Sequence, residues 1–148
     1  IENGQPRLVE YNVRFGDPEC QVLMLRLGGQ AMDLMHACAE GRLAEARVNW
    51  ADDHAMTVVL AANGYPGSYQ KGSVINGLDD LAEDSFPMMF HAGTTEKDGK
   101  VTASGGRVLN ATARGGTLQD ARDRAYGMID QVDWPEGFCR KDIGWRAL

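Results

Sequence analysis

Cysteine is scarce in this chain, and its placement excludes the chemistry usually built on it. Cys20, Cys38 and Cys139 are odd in number and far apart, with no C-x-x-C pair to hold zinc or cycle between thiol and disulfide. His36 lies two residues from Cys38, but such neighbours project from different sides of a helix. The thiols are therefore read as free and partly buried. Long apolar runs are missing as well: nothing approaches the ~20 consecutive residues of a membrane span, and the first residues show no signal-like pattern. A soluble, cytoplasmic protein with no membrane partner is expected. Basic clusters are also absent, the 15 Lys and Arg being outnumbered by 21 Asp and Glu for a net charge of -6. That argues against nucleic acid and for small-molecule substrates. No Gly-rich phosphate loop of Walker or Rossmann spacing occurs, and there is no internal repeat or long linker.

What is present is enough for one core. With 148 residues, 43% hydrophobic, a compact domain with a short leading segment is expected. Periodicity predicts helices at 20–27 and 31–40, the second stopped by Gly41. The mostly apolar run 55–62 has the length of a strand buried on both faces. GYPG at 64–67 sets Pro at i+1 and Gly at i+2 of a type II turn. Shorter strands come next at 73–75, 88–92 and 106–113, with a polar hairpin tip at 96–100. A helix is expected over 118–131, N-capped by Thr117, with Leu118, Ala121, Ala125, Met128, Ile129 and Val132 at helical spacing. The 18 glycines exceed the usual ~7% share and fit many tight turns. The fold class is α+β, a small, mostly antiparallel β-unit with a packed helix.

The segment 8–19 carries the chemistry. In an extended strand alternate side chains share a face, so Glu10, Asn12 and Arg14 point one way while Val9, Tyr11, Val13 and Phe15 point the other. Two oxygen donors at i and i+2, with a cation next along, suit a Mg²⁺-phosphate site. The hard ion takes one or two protein oxygens and fills its octahedron with water and phosphate. An ordinary solvated strand edge shows the same alternation. The residues after the strand shift the balance toward a site: Gly16 permits a turn, Asp17 is a good N-cap and Pro18 suits the first helical position. A helix N-terminus there offers unpaired N–H groups to an anion. Nucleotide-dependent phosphoryl transfer is the function these residues suggest.

VEYN at 9–12, RFGDPE at 14–19 and then Gln21 resemble the signature of the phosphoribosylamine-glycine ligase family, also called glycinamide ribonucleotide synthetases. GYPG at 64–67, FHAGT at 90–94, GGRVL at 105–109, Ala125 with Tyr126, and RKDIGWRA at 140–147 look like further blocks of that family, in its order, across nearly the whole chain. The resemblance implies an ATP-grasp enzyme. Residues 1–50 would form the C-terminal end of the ATP-grasp domain, and 51–148 a small C-terminal α+β domain of rudiment single hybrid-like type. It also implies that the N-terminal domain and most of the ATP-binding region lie outside this chain, which agrees with the missing phosphate loop. Alone, the chain is expected to be inactive; in the intact enzyme it would pack on those domains, in a monomer.

By the same resemblance the intact enzyme joins glycine to 5-phosphoribosylamine with ATP, through a glycyl phosphate, in purine biosynthesis. Glu10 and Asn12 would ligate Mg²⁺ or Mn²⁺, and Arg14 would be the catalytic cation on the transferred phosphoryl group. Asp17 and Glu19 would orient the incoming amine, although capping is an equally available role for Asp17 and helix-dipole stabilisation for Glu19. Arg107 either reaches a substrate phosphate or carboxylate, or belongs to a turn that packs a strand. Arg140, Lys141 and Asp142 form either a surface ion cluster or charge facing the cleft. His91 is read as a hydrogen-bonded core histidine. Two other readings stay open, another ATP-grasp carboxylate-amine ligase and a non-catalytic module.

Overall fold

Two nine-residue strands rich in small and β-branched side chains organise the molecule. In the computed structural model, which describes residues 1–81 and 87–148, β1 (His54–Ala62) pairs antiparallel with β5 (Arg107–Gly115), running from His54 opposite Gly115 to Leu60 opposite Leu109. β2 (Met88–His91) joins the other side of β5, and the two-residue β6 (Gly137–Phe138) joins β1. The sheet order is β2-β5-β1-β6, antiparallel throughout. β3 (Thr94–Lys97) and β4 (Lys100–Ala103) form a separate hairpin. Asp98 and Gly99 at its tip have φ of 53° and 71°, as a two-residue turn with positive φ at both positions requires.

Side-chain alternation gives the sheet two different faces. Met56, Val58 and Leu60 of β1 and Leu109, Ala111 and Ala113 of β5 form one core with α3 (Leu118–Ile129), against which Ala121 and Ala125 are fully buried. Thr57, Val59, Asn110, Thr112 and Arg114 belong to the other face, where α1 (Glu19–Leu27) lies against β1 and β5. Thr57 and Thr112 bond each other there through their hydroxyls at 2.8 Å. The register slips between Leu60 and Ala61, so that Ala61 lies opposite Arg107 rather than Val108. Such a β-bulge re-aims the side chains beyond it, and here it turns Arg107 onto the α1 face alongside Arg114.

Local signals explain the element ends. Thr117 Oγ1 accepts from the Asp120 backbone N–H at 3.1 Å, and the Asp120 carboxylate accepts from the Thr117 N–H at 3.0 Å, a reciprocal capping box that satisfies two orphan donors of α3. α2 (Gln30–Ala39) stops before Gly41, whose φ of 71° suits a residue without Cβ. A 3₁₀ turn at Leu43–Glu45 comes next, and the chain returns past Trp50, over which the Arg26 guanidinium sits at 5.5 Å.

Four expectations are corrected. No strand forms at 8–15 among the described residues; Val9, Tyr11 and Val13 are 94%, 79% and 88% exposed, so neither parity is a core face. A strand is stabilised by the ladder beside it, and among the described residues this segment has no neighbour to pair with. GYPG is not a type II turn, because the positive φ falls at Gly64 (98°) and not at Gly67. The strand at 73–75 reduces to a single bridge, Val74 to Thr102. β1 is also not buried evenly on its two faces: the α3 face is closed, while on the other Ala61 is buried and Thr57 and Val59 are half-covered.

The α3–sheet contact is built from alanines on both sides, so added volume has nowhere to go. Ala121→Leu should destabilise by about 1–3 kcal/mol through overpacking, read as a lower urea midpoint at unchanged slope. Thr117→Ala removes one half of the capping box and should cost about 1 kcal/mol, with Thr117→Ser close to the parent protein in the same assay.

Candidate functional site

Although it is not a strand, the segment 10–19 makes a concave surface. Glu10, Asn12, Arg14, Asp17 and Glu19 line one open recess of about 560 Å³ that ends at the N-terminus of α1. Five of the residues singled out from sequence are thus brought together, and the sixth, Arg107, stands at the edge by its contact with Asp17. Glu10 and Asn12 are exposed and take no hydrogen bond or ion pair among the described residues. Arg14 donates to the Phe15 carbonyl at 2.7 Å. The Gly16 carbonyl accepts from the Cys20 N–H at 2.8 Å, closing the turn into α1. Glu19 is the first residue of the helix, where its charge opposes the positive end of the helix dipole.

Asp17 is not the N-cap. Pro18 occupies that position without a side-chain cap bond, and the Asp17 carboxylate is engaged elsewhere. Arg107, ninety residues on, donates from Nη2 to Asp17 Oδ2 at 2.7 Å and from Nη1 to the Asp17 carbonyl at 3.1 Å. Opposite charge at that range is a stronger attraction than a helix N–H.

The motifs noted from sequence meet around Arg107. A Cβ on Gly93 would come within 2.7 Å of the Gly105 Cα, and one on Gly106 would overlap the Tyr65 ring and lie 3.0 Å from Tyr69. Glycine is therefore a packing requirement where GYPG, FHAGT and GGRVL cross. The other end of β5 mirrors this arrangement. Arg114 binds both carboxylate oxygens of Asp53 at 2.9 and 2.8 Å and donates to the Leu25 carbonyl at 3.2 Å in the last turn of α1. Sequence reasoning missed Arg114 and Asp53. The available signal was an acidic residue just before β1 and an arginine just inside the end of β5, which antiparallel pairing brings together.

A second, apolar groove of about 530 Å³ runs beside the recess, lined by Thr57, Val59, Ala61, Tyr65 and Phe138, with Arg107 and Arg140 among its walls. Arg140 donates to Asp142 through two bonds of 2.9 and 2.7 Å. These bonds hold the Asp142 carboxyl below the usual carboxylate range and raise the Arg140 guanidinium. The pair is well exposed, 67% and 53%, and Arg140 also stands in the wall of the apolar groove. His91 bonds Thr94 through Nδ1 at 2.9 Å but is exposed, not a core histidine. Cys20 and Cys139 are half-buried and Cys38 is exposed. Among the described residues no helix is long and apolar enough to cross a membrane, and no group of three or more His, Cys, Asp or Glu gathers to cage a metal.

Comparison with known proteins places the chain in one family. A family model described as "Phosphoribosylglycinamide synthetase, C domain" covers residues 55–146. A phosphoribosylamine–glycine ligase of Mesorhizobium japonicum is 53% identical over 148 residues, which are 100% of this chain and 35% of that protein. The chloroplastic phosphoribosylamine–glycine ligase of Arabidopsis thaliana is 53% identical over 150 residues, 99% of this chain and 28% of its own. The crystal structure of the phosphoribosylamine–glycine ligase of Thermotoga maritima superposes with a TM-score of 0.72 at 34% identity, over 95% of this chain and 34% of that one. The chain thus spans about a third of the length of these relatives. It belongs to the phosphoribosylglycinamide synthetase family, with that family's C domain in residues 55–146.

Proposed function

We propose that this chain is the C-terminal part of an ATP-dependent ligase that joins glycine to 5-phosphoribosylamine, and that the recess at 10–19 is its share of the active site. The observation that carries the reading is the gathering of Glu10, Asn12, Arg14 and Glu19 in one open recess at a helix N-terminus, in a chain of this family. Residues 1–50 belong to the end of an ATP-grasp domain on this reading. The apolar groove formed by Phe15, Leu23, Leu27, Leu34, Met35 and Trp50 is covered by the rest of the polypeptide. The intact enzyme is cytoplasmic, and the isolated chain does not turn over.

Two partnerless hard oxygen donors beside a cation fit Mg²⁺, which takes few protein ligands and completes its shell with phosphate and water. Glu10 and Asn12 would hold it, and when bound it neutralises charge on the β- and γ-phosphates of ATP. In the reaction, a glycine carboxylate oxygen attacks the γ-phosphorus and ADP leaves. The amine nitrogen of phosphoribosylamine then attacks the acyl carbon, inorganic phosphate leaves, and the nitrogen loses a proton. Such chemistry asks the protein for charge placement more than for a nucleophile. Arg14 supplies positive charge to the transferring phosphoryl group. The first-turn N–H groups of α1 add partial positive charge. Glu19, at the lip of the recess, orients the amine, and Asp17 with Arg107 borders it as an ion pair.

In the full-length ligase carrying this sequence, Glu10→Ala should lower kcat by at least about 100-fold with the circular dichroism spectrum unchanged; wild-type turnover at saturating Mg²⁺ would remove Glu10 from metal binding. Arg14→Ala should reduce kcat and kcat/KM together, whereas a change confined to KM would assign it equal binding of ground and transition states.

A further inference from the structure

The Asp17–Arg107 contact borders the recess, yet no step of the ligation uses it directly. Its two side chains are 47% and 38% exposed, so solvent screens the pair and it adds little to stability. What it determines is position. Nη1 and Nη2 grip two different acceptors of one residue, the carbonyl and the carboxylate of Asp17, and a planar guanidinium that makes two such bonds defines orientation as well as distance. Arg107 is itself held from behind. It opens β5 directly after Gly105 and Gly106, which pack against Gly93, Tyr65 and Tyr69 with no room for a Cβ on Gly106. The bulge opposite Ala61 turns its side chain toward α1. Arg114, at the other end of the same strand, grips the last turn of α1 through the Leu25 carbonyl. The helix that begins at the recess is therefore held to β5 at both ends.

We propose that Arg107 is a positioning residue. Through Asp17 it holds the turn at 14–19, and with it Arg14 and the N-terminus of α1, in the orientation that turnover requires; the guanidinium acts on the turn and not on substrate. This rests on the reading of the recess as the ligase site. It also explains why the GYPG, FHAGT and GGRVL runs converge on a residue outside the recess: together they fix the base of the clamp.

The test uses Asp17→Ala, Arg107→Gln and their double variant in the full-length ligase. The readouts are kcat, the KM values for ATP, glycine and phosphoribosylamine, and the Mg²⁺ concentration for half activation. A displaced catalytic group costs roughly 10- to 100-fold in rate, so each single variant should lose that much in kcat with KM values nearly unchanged. The double variant should be no slower than the slower single one, because both remove one contact. Asp17→Asn, which keeps an oxygen acceptor, should recover part of the loss. Multiplicative losses would overturn the proposal, as would wild-type kcat in Asp17→Ala, or a rise in KM for phosphoribosylamine confined to Arg107→Gln, which would mean direct substrate binding. If Arg107→Gln lowers the folded fraction, Asp17→Ala against Asp17→Asn decides alone. Glu10→Ala in parallel separates the failures: if it stays active the site reading falls, and if it is inactive while Asp17→Ala is normal only the clamp falls.

Discussion

β5 is the constraint on which the other elements depend. It is hydrogen-bonded on both sides, to β1 and to β2, and it uses its two faces in different ways. Toward α3 it presents Ala111 and Ala113 to Ala121 and Ala125, all without solvent exposure, so helix and sheet approach closely and are held by dispersion and the exclusion of water. Toward α1 it presents Asn110 and Thr112 with an arginine at each end, and there the helix is held by directed polar bonds. The first contact supplies most of the cohesion. The second supplies most of the orientation, because a few oriented bonds specify a geometry that methyl contacts leave loose.

This division suits a site carried on the less cohesive side. The recess residues are close in sequence and exposed, with little apolar burial of their own. Such a segment sits at the low end of local stability, and its shape is set by what anchors its ends. One anchor is the turn closed by the Gly16 carbonyl and tied to Arg107. The leading residues 6–13 have no comparable anchor among the described residues. The Asn110 amide, buried without a hydrogen-bond partner among the described residues, lies on that same α1 face, the more polar of the two.

Elements specified by local rules were legible from sequence. α3 with its Thr117 cap, the Gly41 stop after α2, β1, and the hairpin tip at Asp98 and Gly99 each arise from capping, periodicity or positive φ. The recess was legible as a set of residue types, and its members do lie together. What was not legible depends on distant partners. The alternation at 8–15 imitates a strand, but a strand exists only beside another, and the alternation does not say whether a neighbour is present. Asp17 has the composition of a cap, and only the arginine ninety residues away diverts it. The grip of Arg114 on Leu25 requires knowing that α1 crosses β5.

The bulge between Leu60 and Ala61 has a consequence for how this chain tolerates changes of length. Because strand side chains alternate with a period of two, the single extra residue acts as a parity switch: on one side of it odd-numbered residues of β5 face α3, and on the other Arg107 faces α1. Regular pairing of all these residues, without the bulge, would turn the arginine to the alanine-lined side, where a charge has neither space nor partner. Deleting only the extra residue, Val108, would restore regular pairing and leave the arginine, then next to Leu109 in the chain, on the α1 face. The arginine therefore keeps the helix it serves when the one extra residue is lost, and exchanges it when the strands pair without the bulge at unchanged length.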